Sequence, residues 1–268
     1  MTYFAFLGWC VGIPLLILAL LTWRDQRQNR ALPRTLQSWP AVAVVIAHIL
    51  LAILYTTPWD NYLVATNVWW YDPALVTGII LGWVPLEEYI FFVLQTLLTS
   101  LWVLYIARRL PIQPLPPIAL GNKLRVVSTG IVGLIWVASV VILAVGWQSG
   151  VYLGLELVWA LPPILLQLAF GADILWRYRS IVLWGIAIPA LYLSAGDTFA
   201  IDAGVWTIDP MQSTNIMLAG LPLEEFIFFL LTNTLVVFGT ILVLAAESQE
   251  RAPEALLKRM RQMVSMMG

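Results

Sequence analysis

The sequence is poor in the residue types that build most soluble catalytic centres: it has one cysteine, Cys10, one histidine, His48, and two lysines, Lys123 and Lys258. A lone cysteine forms neither an intrachain disulfide nor a multi-cysteine zinc site. His48 has no second histidine or cysteine at ligand spacing and reads as a hydrogen-bonded helix contact, so no metal is expected. Both lysines fall in polar segments, which leaves none in the last apolar run to form a retinal Schiff base. Charged side chains are only 11% of the 268 residues. No basic stripe interleaved with exposed aromatics is available to track a phosphate backbone, which removes nucleic acid as a partner. No G-x-G-x-x-G follows a strand, so neither FAD nor NAD(P)H is expected and the cofactor expectation is none. Glu-x-x-His, the mark of a di-iron carboxylate bundle, is absent. The acidic run Asp197-Thr-Phe-Ala-Ile-Asp202 has the wrong spacing for a metal-diphosphate motif.

What the chain has in abundance is apolar surface, at 61% of residues. A helix needs about 20 apolar residues to cross the roughly 30 Å of bilayer hydrocarbon. Runs of that kind recur near residues 3–23, 40–57, 84–106, 125–147, 151–171, 180–196 and 222–245, leaving no room for a soluble domain. The first run lacks a basic leader and a small-residue cleavage site, so it is expected to stay as a helix. The reading is an all-α integral membrane protein with seven transmembrane helices.

The fourteen Lys and Arg residues fall in alternate connections. Arg24, Arg27, Arg30 and Arg34 occupy the first, Arg108, Arg109, Lys123 and Arg125 the third, Arg177 and Arg179 the fifth, and Arg251, Lys258, Arg259 and Arg261 the tail. Asp60, Asp72, Asp197, Asp202 and Asp209, with Trp59, Trp69, Trp70 and Trp206, are read into the opposite connections. By the positive-inside rule the N-terminus is expected outside and the C-terminus in the cytoplasm of a multi-pass cell-membrane protein. The tail from residue 247 to 268, with Leu256, Leu257, Met260 and Met263 at helical spacing, is expected to lie along the cytoplasmic surface.

Sliding the chain by 137 residues aligns Asp60–Phe92 with Asp197–Phe229 without a gap, and 15 of the 33 pairs are identical. Identity at charged and helix-breaking positions is not a by-product of membrane composition. Three spans precede and three follow the span at 125–147, so the repeats cross in the same direction. The expected architecture is two parallel three-helix repeats joined by a linker helix (3+1+3): 1–110, a linker at 111–150, 151–246, and the tail. In such folds the working site tends to form where the repeats meet.

The strongest chemical signal is Pro85-Leu-Glu-Glu-Tyr-Ile-Phe-Phe92, returning as Pro222-Leu-Glu-Glu-Phe-Ile-Phe-Phe229. It places Glu87, Glu88, Glu224 and Glu225 at the heads of two apolar helices. Proline and acids suit a helix start for structural reasons alone. Yet the segment from Pro73 to Tyr105 has 33 residues, more than one span needs, and the apolar stretch 74–84 suggests a broken or re-entrant helix that would bury the glutamates. Ionisable groups in that setting are costly and mark function. Successive helical residues point about 100° apart, so one glutamate of each pair is expected to be supporting. Asp60, Asp72, Asp197 and Asp209 either orient these acids or cap helices, with Asp-Pro reading as helix initiation. Tyr89, Phe92, Phe226, Phe229, Trp69 and Trp206 are candidate substrate-binding aromatics, with Phe91 and Phe228 beside them. Glu156, in the fifth span, is a further candidate without an acidic counterpart in the other repeat.

The paired Pro-Leu-Glu-Glu segments, the Asp-Pro turns before them and the 3+1+3 layout resemble the lycopene cyclase domain family, in the form that fuses two subunit-like halves in one chain. The resemblance covers nearly all of it. It implies conversion of lycopene, through γ-carotene, to β-carotene: protonation of a terminal double bond, ring closure and loss of a proton, without net redox change. Glu87, Glu88, Glu224 and Glu225 become the candidate acids and bases, Glu225 first and Glu88 its partner. Lycopene and related linear carotenoids would enter from the lipid phase. The rival reading is a membrane carrier or carotenoid-binding protein, because parallel three-helix repeats also build carriers.

Overall fold

A computed structural model describes residues 1–254 and residue 262. Among them seven helices are long and apolar enough to cross a membrane: α1 (Tyr3–Arg27), α2 (Ala41–Ala65), α3 (Leu86–Ala107), α4 (Ile118–Ala144), α5 (Val151–Arg177), α6 (Arg179–Asp202) and α7 (Leu223–Leu244). A short α8 (Ala246–Arg251) follows. In lipid every backbone polar group must be satisfied within the protein, which is why the chain commits so fully to helix. Proline stands at the N-caps of α2, α3, α4 and α7 (Pro40, Pro85, Pro117 and Pro222), where its missing N–H costs little. Pro58, Pro162, Pro163 and Pro189 lie inside helices, each removing one backbone hydrogen bond.

Burial ranks the helices. The apolar window of α3 is 61% buried and that of α7 50%, against 6% for α4. The helices that begin with Pro-Leu-Glu-Glu therefore form the centre, and α4 leans on α5 at the lipid-facing rim. Where α3 meets α7, Gln95 donates to Thr232 Oγ1 at 2.8 Å and Thr99 to Asn233 Oδ1 at 2.5 Å. Asn233 also donates to the Phe229 carbonyl at 2.7 Å. Such contacts are worth about 0.6 kcal/mol each between membrane helices, and here they fix which faces of α3 and α7 meet.

Contacts recur at positions 137 apart. Strand β1 (Trp69–Tyr71) pairs antiparallel with β4 (Trp206–Ile208), matching Trp69 with Ile208, Trp70 with Thr207 and Tyr71 with Trp206. The ladder continues on both sides, from Asp72 N–H to the Val205 carbonyl and from Asp209 N–H to the Val68 carbonyl. Two hairpins, β2 (Ile80–Leu81) with β3 (Val84–Pro85) and β5 (Met217–Leu218) with β6 (Leu221–Pro222), lead into α3 and α7. Their turns use left-handed backbone at Gly82 (φ 72°) and at Ala219 and Gly220 (φ 51° and 94°), as two-residue hairpins require.

The opposite end carries the arginines. Arg109 grips Asp25 through both guanidinium nitrogens at 2.8 and 2.6 Å, and Arg251 grips Asp173 likewise at 2.9 and 2.7 Å. Arg177 pairs with Glu247 at 2.7 Å. The Asp25 carboxylate holds the Arg109 guanidinium above its ordinary pKa, and hydrogen bonding to Asp173 does the same for Arg251.

Several expectations need correction. The stretch 74–84 is a turn and a hairpin rather than a broken or re-entrant helix, because Gly78 and Gly82 both take left-handed backbone. Asp72-Pro73 and Asp209-Pro210 do not start helices. Each aspartate closes a turn, accepting from Ala74 N–H and Met211 N–H at 2.9 Å, a short-range bond that Asp favours. Asp60 and Asp197 are not in connections: α2 runs on to Ala65 and α6 to Asp202. Helix α4 begins before Lys123 and Arg125, which therefore stand on it. The tail expectation for Leu256, Leu257, Met260 and Met263 falls outside the described residues.

Candidate active site

At the end of the bundle away from the arginines, β1 and β4 lie over a cavity of about 40 Å³ between α3 and α7. Glu88 and Glu225, the second glutamates of the two motifs, both line it, together with Asp197. Its walls are otherwise aromatic: Tyr3, Phe6, Trp69, Tyr71, Phe91, Tyr152, Trp206, Phe228 and Phe229. Trp206 sits 5.0 Å from the ring of Tyr3, and Trp69 sits 5.2 Å from that of Tyr152.

Each lining glutamate is held by a tyrosine from the start of another helix. Tyr3 donates to Glu88 Oε2 at 2.5 Å and Tyr152 to Glu225 Oε1 at 2.6 Å. The tyrosines are placed alike, since Tyr3 N–H binds the Leu75 carbonyl and Tyr152 N–H the Gln212 carbonyl, both at 2.9 Å. Glu88 Oε2 accepts a second hydroxyl, that of Tyr71, at 3.0 Å, and Tyr71 in turn accepts from Trp69 Nε1 at 3.2 Å. Burial first, and the nearby Glu88 charge second, push the Tyr71 hydroxyl well above its ordinary pKa, so it stays a donor.

The first glutamates face elsewhere, as the 100° helical step requires. Glu87 accepts from Thr77 N–H at 2.6 Å and Glu224 from Thr214 N–H at 2.7 Å. They pin the loops before α3 and α7, and neither lines the cavity.

Asp60 and Asp197 are each 1% exposed. Asp197 lines the same cavity as Glu225. Asp60 stands within electrostatic reach of Glu88, with no hydrogen-bond partner on either oxygen. Glu156, one turn after Tyr152 on α5, is fully buried, and neither of its carboxyl oxygens has a hydrogen-bond partner. Every ion pair among the described residues lies at the arginine end, so these carboxyls have no counter-charge. His48 binds the Val44 carbonyl one turn back, at 2.7 Å, and no group of three His, Cys, Asp or Glu among the described residues is placed to hold a metal.

Of the aromatics singled out in the sequence, Trp69, Trp206, Phe91, Phe228 and Phe229 line the cavity. Tyr89, Phe92 and Phe226 do not. Tyr89 instead binds the Leu81 carbonyl and accepts from Asn61, bracing the first hairpin. Sequence reasoning missed Tyr3, Tyr71, Tyr152 and Phe6. The gapless shift that revealed the repeat could not reach Tyr3 and Tyr152, which are 149 residues apart. The connection from α1 to α2 spans residues 28–40, whereas a single residue, Tyr178, separates α5 from α6.

Seven apolar helices and an aromatic-lined cavity with two tyrosine-bound glutamates define a multi-pass membrane protein whose interior chemistry is carboxylic. The lycopene cyclase family model matches residues 1–106 and 149–244, and the chain belongs to that family. It is 38% identical over 244 residues to a lycopene beta-cyclase of Halobacterium salinarum, covering 90% of this chain and 95% of that protein. It is 39% identical over 223 residues to a bifunctional lycopene cyclase/phytoene synthase of Gibberella fujikuroi, covering 79% of this chain and 36% of the fungal protein. A protein of the same name from Phycomyces blakesleeanus is 38% identical over 200 residues, covering 70% of this chain. No solved structure matches.

Proposed function

We propose that this chain is a lycopene beta-cyclase that converts lycopene through γ-carotene to β-carotene by acid-base chemistry, with Glu225 the proton donor and Glu88 the acceptor. The observation that carries this reading is that two equivalent glutamates meet in one aromatic cavity with no Lys or Arg among its described lining residues. A buried carboxyl without counter-charge is well suited to carry a proton to an alkene. Asp197 and Glu225 line one cavity and neither is in an ion pair among the described residues, a placement that disfavours ionising both carboxyls and supports a proton held on that side. On the other side Glu88 receives hydroxyls from Tyr3 and Tyr71 on one oxygen, an arrangement suited to an acceptor.

Glu225 protonates the terminal C1=C2 double bond, the C5=C6 double bond closes the ring on the resulting cation, and Glu88 takes the proton whose loss forms the β double bond. The faces of Phe91, Phe228, Phe229, Trp69 and Trp206 stabilise the passing positive charge, and exclusion of water keeps it from being trapped as an alcohol. The reaction is redox-neutral and calls for no electron carrier. Because about 150 Å³ is needed even for a benzene-sized ligand, the aromatic side chains must move apart to admit an end group arriving from the lipid.

The paired contacts at 137-residue spacing support two like-oriented three-helix repeats related by a pseudo-twofold axis, with α4 as linker. Arginine at one end of the bundle supports an outward N-terminus and an active site near the outer face. Expression in lycopene-accumulating cells tests the activity: β-carotene or γ-carotene is expected by chromatography of the pigments. Untouched lycopene in cells that carry the protein in their membranes would refute the cyclase reading and favour a carotenoid carrier.

A further inference from the structure

The halves make matching contacts around the cavity, so the places where they differ carry information. Tyr3 and Tyr152 are equivalent by two contacts each: a backbone bond to Leu75 or Gln212, and a hydroxyl bond to Glu88 or Glu225. Four residues on, one helical turn later, α1 has Leu7 and α5 has Glu156. Both are buried, Leu7 at 3% exposure and Glu156 at 0%. Leucine is the side chain such a position favours. Glutamate there leaves two carboxyl oxygens without partners, a cost with no structural return. It lies within electrostatic reach of Tyr152, Glu225 and Glu224 and does not line the cavity.

We propose that Glu156 is a proton store that recharges Glu225 through the Tyr152 hydroxyl. The proposal rests on the reading of Glu225 as proton donor. After Glu225 has given its proton to the substrate, the Tyr152 hydroxyl proton passes across the 2.6 Å bond to Glu225, and Glu156, unbonded in the resting structure, turns to hydrogen-bond the Tyr152 oxygen and gives it its acid proton. Glu156 is left ionised, while Glu88 holds the proton released when the β double bond forms. Once product leaves, that proton crosses the cavity to the Glu225 side and refills the store. No proton or electron is gained or lost over the cycle. The groups facing Glu225 are Tyr152 and Glu156 from α5, Asp197 from α6, Glu88 from α3 and Glu224 from its own helix, and of these carboxyls Glu156 stands one turn from Tyr152 on the same helix and outside the cavity lining.

Glu156 acts through Tyr152 and touches no substrate, so it is a positioning residue, and its test must separate proton supply from packing. Full-length parent, Glu156→Gln, Glu156→Ala and Glu225→Gln chains are compared in membranes supplied with lycopene, each normalised to the protein present. Glutamine keeps the volume but has no acid proton, and the rate is expected to fall roughly 10- to 100-fold, short of the loss for a direct general acid. Formic acid, small enough for the space left by Glu156→Ala, is expected to restore that variant severalfold and to leave Glu225→Gln unchanged. A parental rate in Glu156→Gln overturns the proposal. So does equal loss in Glu156→Gln and Glu156→Ala with no response to formic acid, which assigns the residue to packing. If the parent itself makes no cyclised product, it is the cyclase reading that fails.

Discussion

The first half of the molecule, through α3, and the second, α5 to α7, reach the same active-site contacts along different routes. The first joins its outer helices by a 13-residue connection, residues 28–40, and the second by Tyr178 alone. Yet each delivers a tyrosine to a glutamate, a tryptophan against the other half's tyrosine, and a first glutamate to a loop N–H. What both halves retain is the set of bonds that the cavity needs. They differ within that set at Tyr71 against Ile208 and Leu7 against Glu156, and in the mechanism we propose these differences give the two like glutamates opposite tasks.

The largest effect that can break this comparison is loss of a lining glutamate. Glu225→Gln and Glu88→Gln are each expected to slow cyclisation by about 10²- to 10⁴-fold, the range of general acid-base catalysis, measured as β-carotene formed per amount of membrane protein. Next comes the hydroxyl present in one half only. Tyr71→Phe removes one of two donors to Glu88 and is expected to cost roughly threefold to tenfold in rate, about 1 kcal/mol. An unchanged rate would show that the asymmetry at Tyr71 has no part in proton acceptance.

At the arginine end the halves are matched, so the comparison predicts equality. Asp25→Asn and Asp173→Asn each weaken a bidentate pair and are expected to destabilise the protein by roughly 1.5–3 kcal/mol, read as a lower unfolding midpoint in detergent with cyclase chemistry preserved below it. The smallest effect lies in the hairpins. Ala219 holds a left-handed conformation where the first half has Gly82, so Ala219→Gly is expected to stabilise by about 1 kcal/mol. Gly82→Ala acts in the opposite sense and more strongly, because its new methyl would meet the Asn61 side chain. A stability change of the same sign in both would contradict the hairpin comparison.

The spans and the central glutamates were legible because they obey strong rules. Apolar length announces a membrane helix, and four acids at the heads of apolar helices require an explanation that apolar packing does not supply. The hairpins were not legible. A stretch such as Leu75–Val84 is apolar enough to read as part of a span, and its fold depends on two glycine conformations and on the tether from Glu87 to Thr77. Asp60 and Asp197 were read into connections because hydropathy treats aspartate as a surface residue, whatever its direction on the helix. Both point inward on helices that continue past them. Tyr3 and Tyr152 carried no mark of their own, since their partners lie 85 and 73 residues away in sequence.

The claim that one site is shared by both halves is tested most directly by combining the two glutamine variants. The rates of Glu88→Gln, Glu225→Gln and the double variant are measured on the same lycopene-loaded membranes. Residues that act as a unit are strongly non-additive, so each single variant should lose at least about 100-fold, and the double variant should be no slower than the worse of the two. If each single variant instead keeps about half the parental rate and only the double variant is inactive, the halves carry independent sites and the shared-cavity account is wrong.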